Sequence, residues 1–356
     1  MSEVSVIGID LAKNVFQLCA QSATGEIMWQ KRLSRDAVQT FLDTGPRCLI
    51  GMEACGGAHH WARWLIERGY TVKLIAPRTV KAYRTSVHKN DGRDARAVAE
   101  AASRGHVASV SVKSEAAQAT QALSRVRERM IRQLTQTANQ LRGLMHEFGI
   151  VLPRGSQRML LRLNELQLNG RLATLPAAMR DMVQTMSEEI VEQADKVKAA
   201  TAALEAAVKQ DTACQLFRSI PNIGPINAAG LAVALETPQA FAKGRSFAAS
   251  LQLVPQQAAS AETNKLRGVG KMRNCELRRY LVLAAQSLLT RVKRMQQRPD
   301  EPLLGWAWDL LRRKTRNVAV VAVAAKFARI AWAVASSGKP YTPGGPRARG
   351  AVPAGG

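Results

Sequence analysis

The chain predicts an α/β domain followed by all-α architecture, and three observations predict it. Through the first hundred residues, short apolar runs alternate with turn residues and then with stretches of helical periodicity. The middle is a long proline-free tract whose apolar residues fall three and four apart. The last third is a series of alanine- and leucine-rich helical segments divided by loops. Three strands followed by alternating helix and strand describe a mixed sheet covered by helices.

Taken in order, the apolar runs Val4–Ile9, Val15–Ala20 and Ile27–Leu33 predict strands, with Gly25 marking the second turn. Residues 36–43 read as a short helix and 48–52 as a strand. A helix over about 58–68 is stopped by Gly69, and 71–75 is another strand. Pro77 then opens a loop carrying Arg78, Lys81, Arg84, His88 and Lys89. The next helix starts near Asp91 and runs to about Arg104.

From about Ser114 to Phe148, the residues Leu123, Val126, Met130, Leu134, Thr137, Leu141, Leu144 and Phe148 form a heptad-like seam. Pro153 to Arg158 is a break. A second helical tract, about 177–209, carries Met182, Met186, Ile190, Val197, Leu204 and Val208 on one stripe. The two tracts either pair as an antiparallel helical hairpin or meet partner chains in an oligomer. An alanine-rich helix at 226–235 follows Pro225, then a loop-rich basic region over 241–273. Helices are expected over about 275–295, 303–312 and 317–336. From Gly338 the tail is rich in Gly, Pro and Arg, a composition that favours disorder. The organisation that results is 1–112, an α/β domain; 113–212, a long helical connector; 213–338, a mainly helical C-terminal domain; and 339–356, a basic tail.

Composition narrows the partners. Of 356 residues, 51 are Lys or Arg and 27 are Asp or Glu, a formal charge of +24. Such an excess suits a polyanion and self-repels without one. Aromatic content of 5% argues against base stacking on single strands as the main binding mode. The cysteines, Cys19, Cys48, Cys55, Cys214 and Cys275, have no CxxC spacing and read as reduced packing residues. The first residues lead straight into a strand, without a signal peptide. The longest fully apolar stretch, Val318–Ala325, is too short to span a bilayer. The expectation is a soluble, cytoplasmic protein with no membrane partner.

Against this basic background four carboxylates stand out. Asp10 ends the first apolar run and Glu53 ends the run 48–52. Asp91 and Asp94 lie three apart at a helix start and so share one face. Singly, each has an ordinary reading, because acids favour strand ends and helix N-termini. Together they place carboxylates at two strand ends and on a helix that can pack beside them. That is how a two-metal site is built, with ions roughly 4 Å apart on the attacking and leaving oxygens. Lys13, Arg84, Lys89 and Arg93 are interleaved with these acids and are expected to contact nucleic acid.

Two further segments point to phosphate. In Ile220-Pro221-Asn222-Ile223-Gly224-Pro225, a Gly-containing turn before a helix can present backbone N–H groups, near Ile223 and Gly224, to a DNA backbone. This resembles a helix-hairpin-helix element; the plain alternative is a connection punctuated by Pro and Gly. Lys265, Arg267, Lys271, Arg273, Arg278 and Arg279 form a basic run, and Arg312, Arg313, Lys314 and Arg316 form another.

Three motifs carry a resemblance. They are Gly8-Ile9-Asp10-Leu11-Ala12-Lys13-Asn14-Val15-Phe16, the stretch Met52-Glu53-Ala54-Cys55-Gly56-Gly57-Ala58-His59-His60-Trp61-Ala62-Arg63, and Lys89-Asn90-Asp91-Gly92-Arg93-Asp94-Ala95. In this order they resemble the DEDD transposases of bacterial insertion sequences, of the insertion sequence 110/1111 type, and the likeness runs nearly end to end. It implies an RNase H-like (RuvC-like) N-terminal domain with Asp10, Glu53, Asp91 and Asp94 as the metal-binding tetrad, loaded with Mg²⁺ or Mn²⁺. It implies a C-terminal transposase domain in which one serine, by register from Pro255, is the nucleophile; here that is Ser260. The loop departs from the family pattern. Ala259-Ser260-Ala261-Glu262 stands where a Ser-Ser-Gly-Gly run is common, and Arg267 where a Gly is usual.

The reading that follows is a transposase or site-specific recombinase that cuts donor and target DNA through a phosphoserine intermediate and rejoins the strands. The resemblance further implies a non-coding guide RNA encoded by the element. It also implies a dimer or tetramer in which the acids of one protomer meet the serine of another. The rivals are a RuvC-like endonuclease hydrolysing branched DNA with water, and a non-catalytic nucleic-acid-binding protein.

Overall fold

A computed structural model describes residues 3–84, 91–259, 264–270 and 276–344, with main chain only at Asp91, 256–259 and 264–267. The chain divides into two compact units, Met1–Glu115 and Ala116–Gly356.

The first unit is built from β1 (Val6–Leu11), β2 (Val15–Gln21), β3 (Ile27–Ser34), α1 (Arg35–Thr44), β4 (Leu49–Glu53), α2 (Ala58–Glu67), β5 (Thr71–Ile75), α3 (Pro77–Lys81) and α4 (Asp91–Ser103). The sheet order is β3-β2-β1-β4-β5. β1, β2 and β3 form an antiparallel meander, while β1, β4 and β5 run parallel. The mixed sheet expected from the sequence is therefore present. The loop expected after Pro77 instead begins with α3, because Pro77 sits at the first helical position, where its missing N–H costs nothing.

Alternation along the strands sorts the two faces. Ile7, Ile9, Phe16, Leu18, Ile50 and Met52 pack with Val38 and Leu42 of α1 and with Trp61, Ala62 and Leu65 of α2. The opposite face takes α4. There the strands carry glycine: a Cβ on Gly8 would lie 2.2 Å from the Ala95 carbonyl oxygen, and one on Gly51 would lie 2.5 Å from the Ala102 Cβ. Bare backbone at both positions lets α4 lie directly on the sheet.

The second unit begins with three helices, α5 (Glu115–Glu147), α6 (Ser156–Leu168) and α7 (Ala177–Gln210). Leu141 and Met145 of α5, Met159 and Leu163 of α6, and Val183 and Ile190 of α7 share one core. Arg127 Nε donates to Thr201 Oγ1 at 2.8 Å, and Thr137 Oγ1 to Glu189 Oε1 at 3.4 Å. Positions rise on one helix as they fall on the other, so the long tracts pair antiparallel within the chain. Two details differ from the sequence reading. The break at Pro153–Arg158 leads into α6, whose apolar residues close the end of the hairpin. On α7 Met186, Ile190, Leu204 and Val208 of the expected stripe are buried, and only its first member differs, Val183 being buried where Met182 is 41% exposed.

The remainder is α8 (Thr212–Arg218), α9 (Pro225–Ala234), α10 (Gly244–Ser250), β6 (Pro255–Ala259), β7 (Asn264–Val269), α11 (Glu276–Lys293), α12 (Pro302–Arg313) and α13 (Arg316–Ser337). The region expected to be loop-rich thus holds a helix and an antiparallel hairpin, β6–β7. By length and composition α13 could cross a membrane, but Ala319, Val323, Ala324, Phe327, Ala328 and Ala331 are buried in the helical core. In the stretch read as a disordered tail, Tyr341 donates its backbone N–H to Ser219 Oγ at 2.7 Å and its hydroxyl to Glu301 Oε1 at 2.9 Å. Residues 345–356 of that tail lie outside the described residues.

Candidate active site

Strand alternation places Val6, Gly8 and Asp10 on one face of β1, and Gly51 and Glu53 on the same face of β4. Gly8 and Gly51 touch α4, so this is the face that α4 covers. β1 and β4 are parallel neighbours paired Ile9 with Met52, so Asp10 and Glu53 stand at the same level. Both lie at the C-terminal ends of their strands, the position at which open α/β sheets present reactive groups. The two glycines bring Ala95 and Ala99 of α4 against β1, which sets the first turns of that helix beside the same strand ends.

Arg84, just beyond α3, ties the acids together. Its Nε lies 3.0 Å from Asp94 Oδ1, and its Nη2 lies 3.6 Å from Glu53 Oε2. Asp94 is 8% exposed, and Arg84 gives this buried carboxyl group a partner. Cys55 reports on the other side of the cluster. Burial pushes its thiol up, and the fields of Glu53 and then Asp10 push it further. The structure thus brings Glu53 and Asp94, from a strand and a helix, to one guanidinium and stands Asp10 at the strand end beside Glu53. Asp91 opens α4 three residues before Asp94; its side chain lies outside the described residues.

Among the described residues, no three His, Cys, Asp or Glu side chains form a group that could hold a metal ion. The donors that do converge are carboxylate oxygens, the hard ligands that Mg²⁺ and Mn²⁺ take. Glu53 and Asp94 already share one cation, the Arg84 guanidinium. The chemistry of the donor set therefore fits a divalent ion.

The basic residues fall into several places. Lys13 is exposed in the turn between β1 and β2, and its carbonyl accepts from Arg35 Nη1 at 3.5 Å. Arg93 is exposed on α4. Lys89, Ser260, Lys271 and Arg273 lie outside the described residues, while Lys265 and Arg267 are seen only as main chain of β7. Arg278 Nη1 donates to the Gly270 carbonyl at 2.5 Å. Arg279 pairs with Glu128. Ile223 is buried and Gly224 caps α9. The preceding Asn222 adopts φ 68°, and its Nδ2 donates to the Ala284 carbonyl at 2.8 Å, fastening the α8–α9 turn to α11.

Two features escaped the sequence reading. The sequence reading named Arg84 as a nucleic-acid contact but did not foresee that it is held by two of the acids. Glu128, 2% exposed, accepts from Arg279 and from the Tyr280 hydroxyl, and Arg127 is also in reach. A signal for Glu128 existed, since it is the sole acid between Ala116 and His146 and is flanked by arginines.

Comparison with known proteins defines the class first. Residues 7–150 match a transposase family model of the DEDD, IS110 type, and residues 214–299 match the model of transposases of the IS116/IS110/IS902 family. A family 20 transposase of Pseudomonas aeruginosa is 37% identical over 96% of this chain and 99% of its own length. The transposase for insertion sequence element IS1111A of Coxiella burnetii is 34% identical over 96% of this chain and 92% of its own. That for element IS1328 of Yersinia enterocolitica is 35% identical over 96% and 100%. Matches of this extent make the chain a DNA-cutting and DNA-rejoining enzyme. It belongs to the IS110-type family of insertion-sequence transposases.

Proposed function

We propose that this transposase cuts and rejoins the DNA strands of its element using Mg²⁺ held by Asp10, Glu53, Asp91 and Asp94, with Ser260 as nucleophile. The standing of Asp10 and Glu53 at neighbouring strand ends, with Asp94 joined to Glu53 through Arg84, supports the reading. When bound, the ions supply Lewis-acid stabilisation of charge on the phosphate oxygens. The residues do the rest. Ser260 Oγ gives up its proton and bonds to phosphorus, and the bond from phosphorus to one deoxyribose oxygen breaks. The released oxygen takes up a proton and leaves as a hydroxyl. The phosphoserine ester retains the bond energy, so a hydroxyl of the incoming strand reverses the step without ATP.

In this reading residues 1–112 form an RNase H-like, RuvC-like metal domain, 113–212 the connector, and 213–338 the serine-bearing domain. The Ile220–Pro225 turn acts as a helix-hairpin-helix grip on the DNA backbone. Lys265, Arg267, Lys271, Arg273 and Arg278 neutralise phosphates near the serine. A dimer or tetramer brings acids and serine together, and an element-encoded RNA pairs with donor and target DNA. The protein works in the bacterial cytoplasm, at the nucleoid.

The test is recombination of a plasmid carrying the element's ends, with and without the flanking RNA co-expressed. Asp10→Asn and Asp94→Asn are expected to lower strand cleavage by about 10²-fold or more, on the scale of losing one stabilising group at a phosphate centre. Ser260→Ala is expected to abolish the covalent protein–DNA adduct. Cleavage retained in Ser260→Ala without an adduct would favour hydrolysis by water. Dependence on the RNA is read from the same plasmids.

A further inference from the structure

We propose that Arg84 is a built-in counter-ion of the acidic cluster: it holds Glu53 and Asp94 until a divalent cation displaces it, and its freed guanidinium then engages a substrate phosphate. This rests on the metal reading above and adds a role for a residue outside the tetrad.

The geometry carries the inference. One guanidinium reaches two acids that belong to different elements, Asp94 on α4 through Nε at 3.0 Å and Glu53 on β4 through Nη2 at 3.6 Å. Without a cation between them these carboxylates would repel, and Asp94 in particular is largely shielded from water. Arg84 supplies that cation. An ion held by Glu53 and Asp94 would put a second positive charge beside the same guanidinium, a contact between like charges in a poorly solvated place. The two occupants therefore exclude each other.

Arg84 is also able to leave. Its main chain is anchored, for Tyr83 N–H donates to the Val80 carbonyl at 2.9 Å and Val80 is fully buried under α4. Its side chain, by contrast, is 37% exposed, on a long stem that can swing without moving the backbone. A displaced guanidinium beside bound cations has one natural ligand, the phosphodiester on which those cations act. Its planar fork matches two phosphate oxygens. The swing would link metal loading to substrate engagement and keep the acids paired before either arrives.

The experiment measures Mn²⁺ binding to the full chain without DNA, from the free-ion signal in electron paramagnetic resonance. The proteins are wild type, Arg84→Ala, Arg84→Gln, Arg84→Lys and Asp94→Asn, each checked for native circular dichroism. Both neutral variants are expected to bind Mn²⁺ about tenfold or more tightly than wild type, with Arg84→Lys in between. Asp94→Asn is expected to lose binding. Affinity unchanged or weaker in both neutral variants, with Asp94→Asn still losing it, overturns the counter-ion and leaves the metal reading standing. Equal Mn²⁺ binding by wild type and Asp94→Asn removes the metal reading, and the inference with it. In strand cleavage, Arg84→Gln is expected to reach half its maximal rate at lower Mn²⁺ but to plateau below wild type. A plateau equal to wild type overturns the phosphate role.

Discussion

Burial pushes the thiol of Cys214 up to about 12, with Asp211 adding to the effect, and burial alone pushes Cys48 up to about 11. These thiols stay protonated at neutral pH and serve as packing groups. The sign of the linkage follows. A pKa higher in the folded chain than in the unfolded one means that the native state holds the proton more tightly. The stability from Cys214 is complete below about pH 9 and is lost as pH rises toward the folded value. Cys214→Ala is therefore expected to shrink the alkaline fall in melting temperature, measured by circular dichroism from pH 8 to 11. A parallel curve for the variant would contradict it. Glu128 is a second residue with a measurable consequence. Removing one partner of a buried ionic group typically costs about 3–5 kcal/mol, because the other charges are left uncompensated. Glu128→Ala is expected to fall near the lower end, since Arg279 remains half exposed, with urea unfolding as the measurement.

At the scale of elements, the contact between α4 and the sheet decides where the acids stand. Gly8 has no room for a Cβ, and the nearest atoms are backbone of α4 that cannot rotate away. Gly8→Ala must lift the helix, which is expected to destabilise the first unit by about 1–3 kcal/mol, the usual range for overpacking. Because Asp94 rides on the same helix, cleavage is expected to fall more than the lost stability explains. Activity at a temperature where the variant is fully folded separates the two effects. The antiparallel pairing of α5 with α7 is the other element-level result. It buries Leu141, Met145, Val183 and Ile190 within the chain and so leaves any oligomer contact to other surfaces of these helices.

For the whole molecule, charge sets the behaviour. An excess of +24 makes DNA affinity depend steeply on salt, because each phosphate neutralised releases condensed counter-ions. A protein making six to ten phosphate contacts loses about 10³–10⁵ in affinity between 50 and 200 mM salt. This chain is expected to lie in that range, measured by fluorescence anisotropy on a duplex of the element's end. Asp10→Asn should leave the slope unchanged, because in the proposed reading the acids serve the chemistry and not the bulk of the affinity.

The sequence by itself determined the strand order of hydrophobicity, the long helices and the identity of the acids worth watching, because periods of two and of three to four are local properties of the chain. Strand-end position and alternation even put Asp10 and Glu53 within reach of each other in principle. Other features were beyond local pattern. The β6–β7 hairpin is short and has no period long enough to separate it from loop, while α6 begins inside the Pro153–Arg158 segment that reads as a break. Which of many arginines would pair was likewise undecided, since every surface arginine reads alike in one dimension. Only the tertiary structure brought Arg84 between Glu53 and Asp94 and set Glu128 under Arg279 and Tyr280. The physical reason is that a buried carboxylate takes whichever cation the packed backbone delivers to it, and that delivery depends on contacts between segments far apart in the chain.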